Sequence, residues 1–188
     1  NKINTFNFNV NIKHSVLLSK YLPKNYVYVH IKKSTIDKLG WGIDDLEFLF
    51  VGLLKYYDNV IFTKDIEKNS ISSLFKNKYN TLDFLTEKFT PKNNNIFFFD
   101  NIEGKDLFNT IMSSSKIIAF HGMMTNIGSL KKKLITDLWD CHIDNWNDYR
   151  NYRNAFYEFK PIYDGYDFTI PSTSIKKTFS KIKFSLKN

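Results

Sequence analysis

Residues Lys116–Trp139 read KIIAFHGMMTNIGSLKKKLITDLW. Lys116–Phe120 is a short apolar run, the pattern of a buried strand. His121-Gly122 interrupts it. Met124–Leu130 then has the composition of a short helix, with Thr125 and Asn126 near its start. Lys131–Lys133 put positive charge at the end of that helix, where it suits the dipole. Leu134–Leu138 is a second apolar run. The order is strand, tight turn, helix, strand: one βαβ unit. Such a unit leaves backbone N–H groups at the helix start, just beyond the carboxyl end of a strand, a place that favours a phosphate.

The same alternation runs upstream. Tyr26–Ile31, YVYVHI, is a strand rich in β-formers. A loop through Lys32-Lys33-Ser34 to Gly42 leads to a helix carrying Ile43, Leu46, Phe50, Leu53 and Leu54 at helical spacing, with Leu49 and Val51 widening its apolar face. Asn59–Thr63 is the next strand. Asp65–Tyr79 reads as helical in part, and Asn80–Phe89 as a second short helix using Leu82, Phe84 and Leu85. Asn95–Phe99 is a third strand and Glu103–Ser113 a helix. Strands and helices that alternate from Tyr26 to Leu138 predict an α/β fold, a Rossmann-like parallel sheet with helices on both faces. Residues 1–25 read as a lead-in or interdomain segment with a helix over His14–Leu22, whose Val16, Leu17 and Tyr21 share one side. Residues 26–140 form the Rossmann-like domain. Residues 141–188 form a C-terminal helical extension packed on it. It includes a short strand at Tyr166–Ile170 and an amphipathic helix with Ile175, Phe179, Ile182 and Leu186 on one stripe.

Composition narrows the function classes. An apolar fraction of 43% supports a core. No run of about 18 uncharged apolar residues is present, so no membrane span is expected. The start, NKINTFNFNVNIK, lacks a continuous apolar core, so no signal peptide is expected. It also lacks a starting Met, which suggests either a trimmed chain or the latter part of a longer protein. The single Cys141 excludes an internal disulfide and a cysteine-based zinc site, and fits a reducing compartment. A cytoplasmic or peripheral-membrane location is expected. The net charge of +8 invites a nucleic-acid reading. Yet Arg150 and Arg153 are the only arginines among 27 basic residues, whereas phosphate-reading surfaces favour the arginine fork. The charge is read as a solvated lysine surface, with no specific nucleic-acid partner.

Four groups are candidates for chemistry. The first is His121, Gly122, Met123, Met124, Thr125 and Asn126. Gly122 permits a turn that a Cβ hinders, the amides from Met123 to Asn126 can face a diphosphate, and His121 can donate to a phosphate or sugar oxygen. The second is His30 with Lys32, Lys33 and Ser34, at the carboxyl end of the first strand and hence on the same rim. His30, between Val29 and Ile31, is alternatively a satisfied core histidine. The third and fourth are Thr63-Lys64-Asp65 and Asp100-Asn101-Ile102-Glu103, at strand ends where Asn101 or Glu103 can meet a base or ribose, or simply cap a helix. Asp140, His142 and Asp144 have an unspecific spacing, and no metal site is expected. The chain has no P-loop, GxGxxG, GxSxG or paired-cysteine motif.

The order of these pieces resembles the carboxy-terminal, donor-binding half of a GT-B-fold glycosyltransferase of the heptosyltransferase-like kind. Its members carry a strand, an HGGMT- or DTGPMH-type turn, a small-residue helix and another apolar strand, and AFHGMMTNIGSLKKKLITDLW is similar in layout and partly in letters. YVYVHIKKSTIDKLGW resembles the first strand and the loop that follows it, with Lys38 and Trp41 in matching places. NIFFFDNIEGKDLFNTIMSSSKIIAFHG resembles the segment before the turn. Met123 departs from the pattern, standing where a second glycine is usual. The resemblance implies that this half binds a nucleoside-diphosphate sugar, with the diphosphate on His121–Asn126 and near Lys32–Lys38. It implies electrostatic stabilisation of the leaving diphosphate with no metal and no other cofactor. It also implies transfer to a glycan acceptor, as in surface polysaccharide biosynthesis. The acceptor site and the catalytic base belong to a missing N-terminal domain, so no catalytic residue is named. The alternative is a non-catalytic Rossmann-like module that binds a nucleotide or a protein.

Overall fold

The structure, a computed structural model, describes residues 15–65, 71–130, 132–139 and 165–185. In chain order the elements are α1 (Val16–Tyr21), β1 (Tyr26–Ile31), α2 (Lys33–Leu39), α3 (Ile43–Leu53), β2 (Asn59–Lys64), α4 (Ile71–Lys78), β3 (Asn80–Asp83) and β4 (Lys88–Thr90). There follow β5 (Ile96–Asp100), α5 (Gly104–Ser113), β6 (Lys116–Phe120), α6 (Met123–Leu130), β7 (Leu134–Leu138), β8 (Tyr166–Thr169) and α7 (Ile175–Ser185). The strands form one sheet in the order β4-β3-β5-β2-β1-β6-β7-β8. Every neighbouring pair is parallel except β3 with β4. The expected Rossmann-like sheet is therefore present, closed at one edge by a short antiparallel strand.

Alternation along the strands builds two cores. On one face Val27, Val29 and Ile31 of β1 pack with Val60 and Phe62 of β2, Leu46, Phe50 and Leu53 of α3, and Ile175 and Ile182 of α7. On the other, Tyr26 and Tyr28 pack with Leu18 of α1, Ile111 of α5, Ile117 and Ala119 of β6, and Met124 of α6. Helices thus cover both faces. Phe62 is fully buried at the centre of an aromatic cluster, stacked on Phe50 at 4.6 Å and on Phe98 at 5.0 Å, with the edges of Phe75 and Tyr79 against it. Across the second face the Tyr26 hydroxyl donates to the Thr110 carbonyl at 2.5 Å, tying β1 to α5.

Three expectations are corrected. The stretch after β1 is not a loop. Lys33–Leu39 is helical, buries Thr35, Ile36 and Leu39, and carries a Lys33–Asp37 pair one turn apart. Gly40, at φ +67°, ends it in the left-handed conformation. Nor is Asn80–Phe89 a helix: it is the β3–β4 hairpin, with Thr81 opposite Thr90 and Asp83 opposite Lys88. Leu85 lies in the turn, 80% exposed, so the spacing that suggested a helical face belongs to a strand followed by a bend. In α1, capped by Ser15 Oγ accepting from the Leu18 amide at 3.1 Å, Leu18 is the buried residue and Val16 is 89% exposed. Among the described C-terminal residues, β8 adds a strand beside β7 and α7 packs on α3. His14, the alternation Phe6, Phe8, Val10 and residues 140–164 lie outside the described residues.

Phe62→Ala removes the ring that joins Phe50, Phe75, Tyr79 and Phe98. The expected loss is about 3–5 kcal/mol of unfolding free energy, read as a lower urea midpoint at unchanged m-value.

Candidate functional site

The strand order sets the place of the site. From β1 the chain steps to β2 on one side, runs out to β5 and the hairpin, then returns to lay β6 on the other side of β1. The carboxyl ends of β1 and β6 therefore flank the point where the connections diverge, where open α/β sheets bind ligands. His30 is one of the last two residues of β1, Lys32–Lys38 follows that strand, and His121–Asn126 follows β6. The two leading candidate groups are brought to this one crevice, in the register His30 opposite Ala119.

At the end of β6, Gly122 adopts φ +156°, a conformation that disfavours a side chain. The Thr125 hydroxyl donates to the Gly122 carbonyl at 2.7 Å and accepts from the Gly122 amide at 3.2 Å. Thr125 is buried, so its hydroxyl closes the turn rather than facing outward. Met123, Met124 and Thr125 form the first turn of α6, where backbone N–H groups point off the helix end. Met123 is 60% exposed, Met124 is buried in the core and Asn126 is exposed, its amide donating to the Gly122 carbonyl at 3.1 Å. Gly128 seats α6 directly on the sheet: a Cβ there falls 2.3 Å from Ile117 Cδ1 and 2.9 Å from Ile135 Cδ1.

His121 is held from below. Its Nδ1 lies 2.7 Å from Asp137 Oδ2. The same oxygen accepts from Trp139 Nε1 at 2.9 Å and from the Tyr166 hydroxyl. Trp139 also lies over the imidazole, with ring centroids 4.1 Å apart. Asp137 is 0% exposed, whereas the His121 side chain is 38% exposed and opens onto the rim. Sequence reasoning missed this support. Its one signal is an aspartate in the middle of the apolar run LITDL, where alternation turns the residue to the same face as Ile135.

The β1 side is quieter. Thr63 Oγ1 lies 3.0 Å from His30 Nδ1 and 2.6 Å from the Tyr28 hydroxyl. Burial, and then the Lys32 charge, push the His30 ring down to about 4, so it is neutral and offers a hydrogen bond without charge. Lys32 precedes α2 as its N-cap residue, and the Lys33 amide donates to Asp65 Oδ2 at 3.0 Å. Ser34 is half-buried on α2, and Lys38 is exposed in its last turn. Asn101 and Glu103 are placed apart from these. They line a separate small cleft of about 60 Å³ at the ends of β2 and β5, with Lys64, Asp65 and Asp100. With β2 and β1 between, β5 stands three strand spacings from β6, roughly 14 Å. Asn101 donates to Asp83 Oδ1 at 2.9 Å, and Lys76 bridges Asp83 at 3.0 Å and Asp100 at 2.8 Å, a structural ion-pair network.

Among the described residues no His, Cys, Asp or Glu group is arranged to hold a metal ion, and no helix is long and apolar enough to cross a membrane. Asp140, His142 and Asp144 lie outside the described residues.

No family model matches the chain, and no curated protein matches it by sequence. Solved structures do match in shape. One, from Listeria monocytogenes, is assigned as a UDP-N-acetylglucosamine 2-epimerase. It superposes with a TM-score of 0.56 at 9% identity, over 95% of this chain and 41% of that one. Another is the glycosyltransferase VinC in complex with dTDP, with a TM-score of 0.51 at 12% identity, over 96% of this chain and 38% of that one. The likeness shows a GT-B-like, Rossmann-type fold and does not single out the heptosyltransferase kind. The chain spans about two fifths of the length of either neighbour.

His30 supplies a pH test of this geometry. Its folded pKa is depressed from 6.5 to about 4, so the unfolded chain binds more protons between those values. The stabilisation is complete above about pH 6.5 and is lost as pH falls toward 4. At pH 5 the loss is about 2 kcal/mol, and His30→Gln is expected to remove that part of the slope in urea unfolding measured at pH 7 and pH 5.

Proposed function

We propose that the chain is the donor-binding half of a glycosyltransferase, taking a nucleoside-diphosphate sugar with its diphosphate on the His121-Gly122 turn. The observation that carries this is the position of the turn. It stands at the switch point between β1 and β6, opens α6 at its positive end, and presents a histidine backed by a buried carboxylate. The first-turn amides of α6 and His121 supply donors to phosphate oxygens. In this reading the lysines of the Lys32–Lys38 segment that follows β1 add positive charge near the crevice. As negative charge grows on the departing nucleoside diphosphate, these donors bind it more strongly than the intact donor, which lowers the barrier without a metal. Of the two structural neighbours described above, one is assigned as a UDP-N-acetylglucosamine 2-epimerase and the other is in complex with dTDP, which supports this class of ligand.

The glycan acceptor and the catalytic base belong, in this reading, to a preceding N-terminal domain that closes over the same rim. The complete protein would serve polysaccharide assembly in the cytoplasm or at the membrane surface. Asn101 and Glu103 are proposed as outer contacts for the base or ribose.

A thermal-shift screen against UDP, dTDP, GDP, ADP and CMP tests the site, because a ligand that binds only the folded chain raises its melting temperature. A rise with one diphosphate supports the reading and identifies the base. His121→Ala is expected to weaken that ligand by about 1–3 kcal/mol. An affinity in His121→Ala equal to that of the wild type would remove the turn from the site.

A further inference from the structure

Tyr28, Thr63 and His30 form a hydrogen-bonded chain that runs from the core to the rim. Tyr28 and His30 alternate onto one face of β1, and Thr63 stands opposite His30 on β2. Thr63 Oγ1 lies 2.6 Å from the Tyr28 hydroxyl and 3.0 Å from His30 Nδ1. Tyr28 and Thr63 are both buried, Tyr28 among apolar side chains. Burial pushes the Tyr28 hydroxyl up, so it keeps its proton. Each of the two hydroxyls therefore carries one hydrogen that needs an acceptor.

With the ring neutral, the two contacts can be ordered in three ways. If Nδ1–H donates to Thr63 and Thr63 to Tyr28, the phenolic hydrogen is stranded in the core. If the ring and the phenol both donate to Thr63, the threonine hydrogen is stranded instead. Only one order places both hydrogens: Tyr28 donates to Thr63, and Thr63 donates to His30 Nδ1. A buried donor left without an acceptor is costly, which selects this order. Nδ1 is then an acceptor, and the ring's own hydrogen sits on Nε2. Burial, and then the Lys32 charge, keep a second proton off the ring. His30 is partly exposed, and Nε2 is not among the buried atoms that lack a partner, so this N–H opens at the rim.

We infer that Thr63, oriented by Tyr28, is a positioning residue that holds His30 as the Nε2–H tautomer, a neutral hydrogen-bond donor for an oxygen of the ligand on the β1 side of the crevice. The ligand contact rests on the donor-site reading above; the tautomer does not. His30 pairs with Ala119, and His121 lies two residues further along the same face. The Cα atoms of the two histidines thus stand roughly 8 Å apart, with the small Ala119 beside His30. A ligand seated on the α6 turn and reaching β1 gains a contact there that adds no charge.

The test uses the chain with ¹⁵N-labelled histidine at pH 7. Of the four histidines, His30 is assigned by its loss in His30→Gln, or by elimination in His14→Ala, His121→Ala and His142→Ala. Long-range ¹H–¹⁵N spectra of the wild type are expected to show the Nε2–H tautomer, with the Nδ1 resonance moved upfield by the hydrogen bond it accepts. An Nδ1–H tautomer, or rapid exchange between the two, overturns the inference on the wild type alone and leaves the donor site standing. In Thr63→Val the Nδ1 resonance is expected to move downfield, and in Thr63→Ser, which restores the hydroxyl, to return. A resonance unmoved in Thr63→Val removes Thr63 from the role. By calorimetry, Thr63→Val and His30→Ala are each expected to weaken UDP about fivefold, the scale of one neutral hydrogen bond, while Thr63→Ser keeps the wild-type affinity. UDP bound equally by wild type, Thr63→Val and His30→Ala overturns the ligand contact and leaves the His121 turn as the site. Failure of UDP, dTDP and inorganic pyrophosphate to bind the wild type overturns the donor-site reading and the contact with it, while the spectra still decide the tautomer.

Discussion

The pairing of β1 with β6 is the constraint on which the rest of the structure depends. β1 takes β2 along one side, so the returning strand must take the other. Once it does, both strands end on the same rim and the connections that leave them turn apart. The crevice is thus a result of strand order, before any side chain in it is considered. The side chains that hold β1 in the middle are apolar on one face and tyrosine-rich on the other, and each face has its own helices to bury against. A sheet covered on both faces accounts for strands such as KIIAF and YVYVHI, which carry apolar or aromatic residues on both of their faces.

Much of this was legible from residues alone. The strands at Tyr26–Ile31, Asn59–Lys64 and Lys116–Phe120 show themselves as β-branched and aromatic runs, and the helix after His121-Gly122 follows from the turn. Two segments were not legible, for different reasons. Lys32–Gly42 begins with lysines and so resembles a surface loop. Its helix is stabilised by burial of Ile36 and Leu39 and by an ion pair within the turn, which composition does not reveal. In Asn80–Phe89 the apolar residues recur at a spacing that fits both a helical face and a strand with a bend. Only the neighbouring β5, offering Phe98 and Phe99 as partners, decides between them.

The site divides in the same way. The turn and its helix could be placed from Gly122 and from the switch between periodicities. Its support could not, because Asp137, Trp139 and Tyr166 converge from two strands and from both sides of the long connection between them. A lone aspartate in an apolar strand signals that something must satisfy it, but not what. His30 illustrates the converse. It stands beside lysines at a strand end and invites a binding role, yet its ring is neutral and bonded to Thr63 in the packed side of the sheet.

The absence of a side chain at Gly128 has a mechanical consequence. α6 lies so close to Ile117 and Ile135 that any side chain at position 128 would press on them. The height of the helix above β6 and β7, its first turn included, is therefore set by a residue in its second half. A larger residue there would lift the turn that follows β6 while leaving every side chain of that turn unchanged.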